Sequence, residues 1–190
     1  MPDVIEPAKT GRSRCRGCGR TIGRGELRFG ESLPNPYGEG ESLYWYHLVC
    51  AACMRPDRLG PVLDTAAEPV PESAWLRQTA TVGLAHRRLP RLVRAERAPT
   101  GSARCRLCRE LIGKSSWRLA LQMFEEGRMH PIGTIHVECA EAYFGTADVL
   151  DRIRRLTDGL NESDLSELER LLAEQRPAPT AEAGAGSAAA

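Results

Sequence analysis

Two small modules in tandem, joined by a linker that contains a helix and followed by a C-terminal helical hairpin, are what the 190-residue sequence predicts. Three observations carry that expectation. A cysteine-rich segment occurs twice in near-constant register. Each copy spans only about 45 residues, below the size at which an apolar core alone usually sustains folding. Two amphipathic runs with helical spacing follow the second copy.

The repeat comes first. The stretch "TGRSRCRGCGRTIG" at residues 10–23 returns as "TGSARCRLCRELIG" at 100–113, and Arg28 returns as Arg118, 90 positions later. His47 and Cys50 return as His136 and Cys139, 89 positions later, so one residue is missing from the intervening loop. Cys53 would fall on Ala142 in the second copy. The second copy therefore closes with His-x2-Cys, and by internal symmetry the first does too. The predicted metal ligands are Cys15, Cys18, His47 and Cys50 in one site, and Cys105, Cys108, His136 and Cys139 in the other. Cys53 is left over.

This donor set has a chemical logic. Cys-x2-Cys forms a tight knuckle whose two sulfurs grip one edge of a tetrahedral ion, and His-x2-Cys closes the opposite edge from a helix start. Three thiolates and one imidazole are soft donors that fill four-coordinate Zn2+ and leave no open position, so the two expected ions are structural rather than catalytic. Binding of order 10 kcal/mol or more would supply the stability that so small a module lacks, and each module is expected to be unfolded without its ion.

Composition narrows the class. Aromatic residues make up 5% of the chain, thin material for one large core. No apolar run approaches the ~20 residues that a bilayer demands. The N-terminal stretch has no apolar core of a secretory signal, so an intracellular site is expected: cytoplasmic and nucleoid-associated in a bacterium, nuclear in a eukaryote. Seven cysteines in such a chain read as metal ligands rather than disulfides. Residues 1–140 hold 21 Lys and Arg against 15 Asp and Glu, whereas residues 141–190 hold 5 against 10. Arginine dominates the basic half, and its planar fork suits phosphate. No glycine-rich phosphate loop and no nucleophile with a base at motif spacing occurs, so neither an enzyme nor a small-molecule substrate is expected.

"AKTGRSRCRGC", "LRFG" and "WYHLVC" follow one another in residues 6–55 with a long gap between the cysteine pair and the histidine. In this the first module resembles the zinc finger of poly(ADP-ribose) polymerases, which certain DNA ligases share. Residues 100–145 resemble it less, keeping the ligands, "TG" and Arg118. The resemblance implies small α+β zinc-stabilised modules that recognise DNA ends, nicks and gaps by shape. It implies backbone contacts from Lys9, Arg12 and Arg28, and a base-capping loop near Tyr37 to Leu43, although Glu31, Glu39 and Glu41 lie in or near that loop. Independently, seven basic residues against one acidic lie between Lys9 and Arg28, and five against one between Arg104 and Arg118. Arg104 and Arg118 join the expected DNA contacts on that basis.

Residues 56–99 are expected to form a linker with a helix: the Pro- and acid-rich "MRPDRLGPVLDTAAEPVPE" at 54–72 reads as linker, and a helix runs from a Ser73 cap through "AWLRQTATVGLAHRRL". The arginine run "RRLPRLVRAER" is either a third DNA-facing patch or the wet side of a connector. In residues 146–175, Thr146 is the expected cap of one helix, with Val149, Leu150, Ile153 and Leu156 on its apolar face. "NESDLSELERLLAEQ" supplies a second helix with a Leu165, Leu168, Leu171 and Leu172 stripe. Residues 176–190 are expected to be disordered. The expected function is zinc-dependent DNA binding, at breaks or discontinuities. The alternative is a zinc-stapled protein-interaction adaptor that works through its acidic C-terminal helices.

Overall fold

Alternating side chains in the strands around each cysteine knuckle build two separate antiparallel sheets. The computed structural model describes residues 1–35, 37–66, 69–125 and 127–175. The first sheet has the order β1 (Val4–Pro7), β2 (Leu27–Pro34), β3 (Glu41–His47). The second has the order β4 (Leu92–Arg97), β5 (Trp117–Glu125), β6 (Arg128–His136). In β2, Phe29 and Glu31 lie on the buried face opposite Tyr46 and Tyr44.

The repeat in sequence is a repeat in hydrogen bonding. Glu6 pairs with Arg28 and Arg28 with His47 across the first sheet; Glu96, Arg118 and His136 line up identically across the second. The Ala8 amide donates to the Glu26 carbonyl at 2.9 Å, and the Ala98 amide to Ser116 at 2.9 Å. The Arg16 amide donates to Trp45 at 2.8 Å, and the Arg106 amide to Thr134 at 2.9 Å. β4 comes from the second half of the arginine run, so Leu92–Arg97 belong to a sheet rather than to a connector. β4 is the counterpart of β1, and the second module starts at Leu92 rather than at residue 100.

The Pro- and acid-rich stretch that reads as linker holds a helix of its own. Helix α1 (Leu48–Met54) follows the first ligand pair, α2 (Pro56–Asp64) comes next, and α3 (Ser73–Ala85) packs on both. Leu59 is fully buried, and with Val62 and Leu63 it forms an i, i+3, i+4 stripe that the surrounding prolines and acids obscure. Pro56 occupies the first turn of α2, where its missing N–H costs nothing. Ser73 does not cap α3: Glu72 occupies the cap position with φ 52°, and no side chain caps the end. One core holds residues of both modules, including Phe29, Leu59, Leu76, Leu119 and Ile135. Gln122 in β5 donates across the boundary to the Gly17 carbonyl at 3.3 Å.

Three helices make up the C-terminal region among the described residues. α4 (Ala140–Phe144) stops at Gly145, whose φ of 78° is the left-handed geometry of a helix C-terminus. α5 (Leu150–Leu156) then starts afresh, and Thr146 accepts from the Asp148 amide in a local turn rather than capping a helix. α6 (Glu162–Ala173) carries a capping box: Asn161 accepts from the Asp164 amide at 2.9 Å while Asp164 accepts from the Asn161 amide at 3.3 Å. Leu168 is fully buried, and Glu167 receives two bonds from Arg97 at 3.0 and 2.6 Å, fixing α6 to the second module. The expected tail at 176–190 lies outside the described residues.

A shared core makes a shared transition the expected outcome. Thermal unfolding of the zinc-loaded protein should give one cooperative step, and Leu59→Ala should lower stability of the whole by about 2–5 kcal/mol in chemical denaturation. Two resolved steps, with Leu59→Ala moving neither, would mean that the connector is not part of the core.

Candidate metal centres

Each knuckle begins as a turn. The Cys15 amide donates to the Arg20 carbonyl at 2.8 Å and the Gly19 amide to the Cys15 carbonyl at 2.8 Å, so the chain between Cys15 and Cys18 folds back on itself. The left-handed position is Gly19, φ 77°, in the first module and Arg109, φ 68°, in the second. The strand β3 or β6 then delivers the histidine, and the helical start after it delivers the last cysteine.

Cys15, Cys18, His47 and Cys50 bring their ligand atoms within 4.8 Å of one another, and Cys105, Cys108, His136 and Cys139 do the same. Cys53 belongs to neither cluster. His47 Nδ1 lies 3.4 Å from Cys18 Sγ and 3.9 Å from Cys50 Sγ; His136 Nδ1 lies 3.4 Å from Cys108 Sγ and 3.9 Å from Cys139 Sγ. A tetrahedron with Zn–S near 2.3 Å and Zn–N near 2.0–2.1 Å has nitrogen–sulfur edges of about 3.6 Å, so both clusters fit the ion. The other ring nitrogen fixes the tautomer. Nε2 of His47 faces the Thr21 carbonyl at 3.3 Å, and Nε2 of His136 faces the Leu111 carbonyl at 3.2 Å. Each Nε2–H donates outward and leaves Nδ1 bare for the metal.

Amides and one cation surround the sulfurs. The His47 amide donates to Cys15 Sγ at 3.4 Å, and the Leu107 amide to Cys105 Sγ at 3.4 Å. Arg20 Nε donates to Cys18 Sγ at 3.3 Å, and hydrogen bonds from the Cys15 and Cys50 sulfurs hold Cys18 far below the usual thiol range. Without the ion, hydrogen bonding to Cys15 and Cys18 raises the His47 imidazole, so a proton takes the place that the cation would hold. Such a cluster competes for positive charge, which is what Zn2+ supplies. The two Cys3His clusters are structural zinc sites, saturated by protein ligands.

Cys53 sits one turn beyond Cys50, 1% exposed, and burial pushes its thiol up to about 11. Its carbonyl accepts from the buried Arg152 at 3.1 Å.

The five basic residues expected at DNA divide in two. Lys9, Arg12 and Arg104 are exposed on the knuckle side. Arg28 is 5% exposed, donates to Glu6 and Ser13 at 2.6 Å each, and lies 3.4 Å from the Trp45 ring centre. Gly30 makes room for that ring: a Cβ there would lie 2.6 Å from Trp45. Arg118 donates twice to Glu96, at 2.9 and 2.5 Å. Arg28 and Arg118 thus tie the first two strands of each sheet together, opposite the ligand histidine, instead of facing solvent. The signal for this was available, because Glu96 stands 90 positions after Glu6, on the same offset as the arginines.

Comparison with known proteins bears on the first module. Residues 6–77 match the sequence model of the poly(ADP-ribose) polymerase and DNA-ligase Zn-finger region. Poly(ADP-ribose) polymerase 1 of Caenorhabditis elegans is 36% identical over 50 residues, which are 26% of this chain and 5% of that protein. The first module is a zinc finger of this type; the likeness of the second to it rests on the internal repeat.

Cys105→Ala should release one of the two zinc equivalents, whereas Cys53→Ala should release none, as read by atomic emission on dialysed protein. Because a thiol held neutral is a poor nucleophile, iodoacetamide should leave Cys53 unmodified at neutral pH in the zinc-loaded fold. Zinc loss in Cys53→Ala would mean that the ligand set is misassigned, and rapid alkylation there would mean that Cys53 is not buried.

Proposed function

We propose that this chain binds DNA through its PARP-type first finger, with zinc holding the recognition loops in place and no bond-making chemistry of its own. The carrying observation is a cluster of exposed bases on two paired loops. The Ala8 amide donates to Glu26 and the Gly25 amide to Ala8, each at 2.9 Å, which sets loop 8–12 beside loop 23–26. Lys9, Arg12 and Arg24 stand on those loops, exposed, and form no ion pair among the described residues. Arg14 and Arg16 extend the surface along the knuckle. Arg28 supports it from beneath by tying β2 to β1 and to Ser13. In the second module the matching positions are Pro99, Ser102 and Lys114, so the first finger supplies most of the phosphate grip.

Discontinuous DNA is the proposed preferred target. Tyr37, 89% exposed, presents a flat ring on the β2–β3 loop against which an unstacked base can rest. The acidic character of that loop is weaker than the sequence implies. Glu31 is fully buried, accepting from Arg55 at 2.9 and 2.5 Å, and Glu41 accepts from Ser32 at 2.9 Å. The adaptor alternative rests on the acidic outer side of α6, with Glu162 and Glu169 exposed. The apolar stripe that docking would use is spent on the second module at Leu168. Among the described residues no helix is long and apolar enough to cross a membrane.

Titration against nicked, blunt-ended and intact duplexes at two salt concentrations tests the proposal. Binding should weaken steeply with salt, and the nicked duplex should bind tightest. Lys9→Ala, Arg12→Ala and Arg24→Ala should each lower the salt slope by about 1 without changing zinc content. Arg28→Ala should lower the melting temperature, because Glu6 loses its partner. Binding that ignores salt, or that survives the triple alanine variant unchanged, would remove the DNA reading.

A further inference from the structure

We infer that the groove between α3 and the β5–β6 hairpin is a protein-docking site that receives a short amphipathic segment with acidic flanks. The groove encloses about 640 Å³. Its walls are Leu84 on one side and Met123, Phe124 and Met129 on the other. Leu84 is 56% and Met123 37% exposed, two of the largest apolar side chains that the described surface leaves uncovered. Methionines give such a surface the adaptable walls that accept an apolar helix face.

Charge selects the occupant. Most arginines between Arg55 and Arg97 are matched by carboxylates: Arg55 and Arg58 meet Glu31, Arg77 meets Asp64, Arg94 meets Glu96 and Arg97 meets Glu167. The exceptions cluster at the groove. Arg87 and Arg91 line it, and neither forms an ion pair among the described residues. Arg91 only reaches the Tyr143 hydroxyl at 3.5 Å, and the neighbouring Arg88 stacks on the same ring at 5.3 Å. Among the described residues Asp57 is the one carboxylate lining the groove. An apolar floor with unmatched cations along one rim fits leucine-like side chains on one face of a segment and carboxylates beside them. A nucleic-acid backbone would match the cations but leave the methionine wall bare. The groove also has a fixed shape, because Arg55, held by Glu31, stacks 3.9 Å from the Phe124 ring and braces the first module against the hairpin. This inference is independent of the DNA reading, since it uses none of Lys9, Arg12 or Arg24.

Fluorescence anisotropy on the intact, zinc-loaded chain provides the test. The probe is a labelled peptide with leucines at i, i+3, i+4 and i+7 and glutamates elsewhere; the comparison peptide carries lysines in place of the glutamates. The glutamate peptide should bind saturably and about tenfold or more tighter than the lysine peptide. Leu84→Asp, and separately Arg87→Glu with Arg91→Glu, should weaken it by about tenfold or more, with zinc content and melting temperature unchanged. Leu84 and Arg87 are exposed and Arg91 is half-buried with one long contact to Tyr143, so the variants keep the fold. The inference fails if the two peptides bind alike, if neither variant matters, or if no binding tighter than about 1 mM is seen. It also fails if Leu84→Asp abolishes self-association in sedimentation equilibrium, which assigns the groove to a second copy. Loss of duplex binding in the Arg87→Glu, Arg91→Glu variant would assign its arginines to DNA instead.

Discussion

Everything in this molecule depends on closing a tetrahedron around a cation twice. Each knuckle and each His-x2-Cys pair lie far apart in sequence, 27 or 28 residues between them, and a shared ion would join all four ligand side chains at once. The backbone supports the same geometry. Amides point at the sulfurs, and a carbonyl holds the outer nitrogen of each histidine. The ion therefore does more than add bond energy. It fixes the two loops that carry Lys9, Arg12 and Arg24, and it sets the strand register that places Arg28 and Arg118 opposite the ligand histidines.

Neither module is left to stand on its metal alone. α1, α2 and α3 insert between them, Gln122 and Arg152 bond across the joins, and one core contains side chains from both sheets. Arg152 is 4% exposed and donates to the carbonyls of Cys53 and Thr79, so it ties α5 to α1 and α3 and forms no ion pair among the described residues. For recognition the consequence is rigidity. The basic loops of the first finger and the groove beside the second keep a fixed relation, so a partner on one does not have to pay for ordering the other.

The ligands were legible because the sequence repeats them, and the single missing counterpart of Cys53 resolved a choice that one copy leaves open. The basic surface was legible only in part. Charge counts do not distinguish Arg12, which is exposed, from Arg28, which spends its guanidinium on Glu6 and Trp45. That distinction depends on strand pairing between residues 22 positions apart. The connector was misread because Pro56, Asp57 and Asp64 advertise a loop, while Leu59, Val62 and Leu63 are too short a stripe to stand out until α3 covers them. Helix ends were the least legible. Thr146 reads as a helix cap but closes a local turn ahead of α5, and Glu72, not Ser73, takes the cap position of α3.

Metal content measured together with folding tests the central claim most directly. Elemental analysis of purified, tag-free protein should find two zinc atoms per chain, and removing them with a chelator should abolish the cooperative melt seen by circular dichroism. A preparation with far fewer than two zinc atoms that still melts cooperatively would contradict the account.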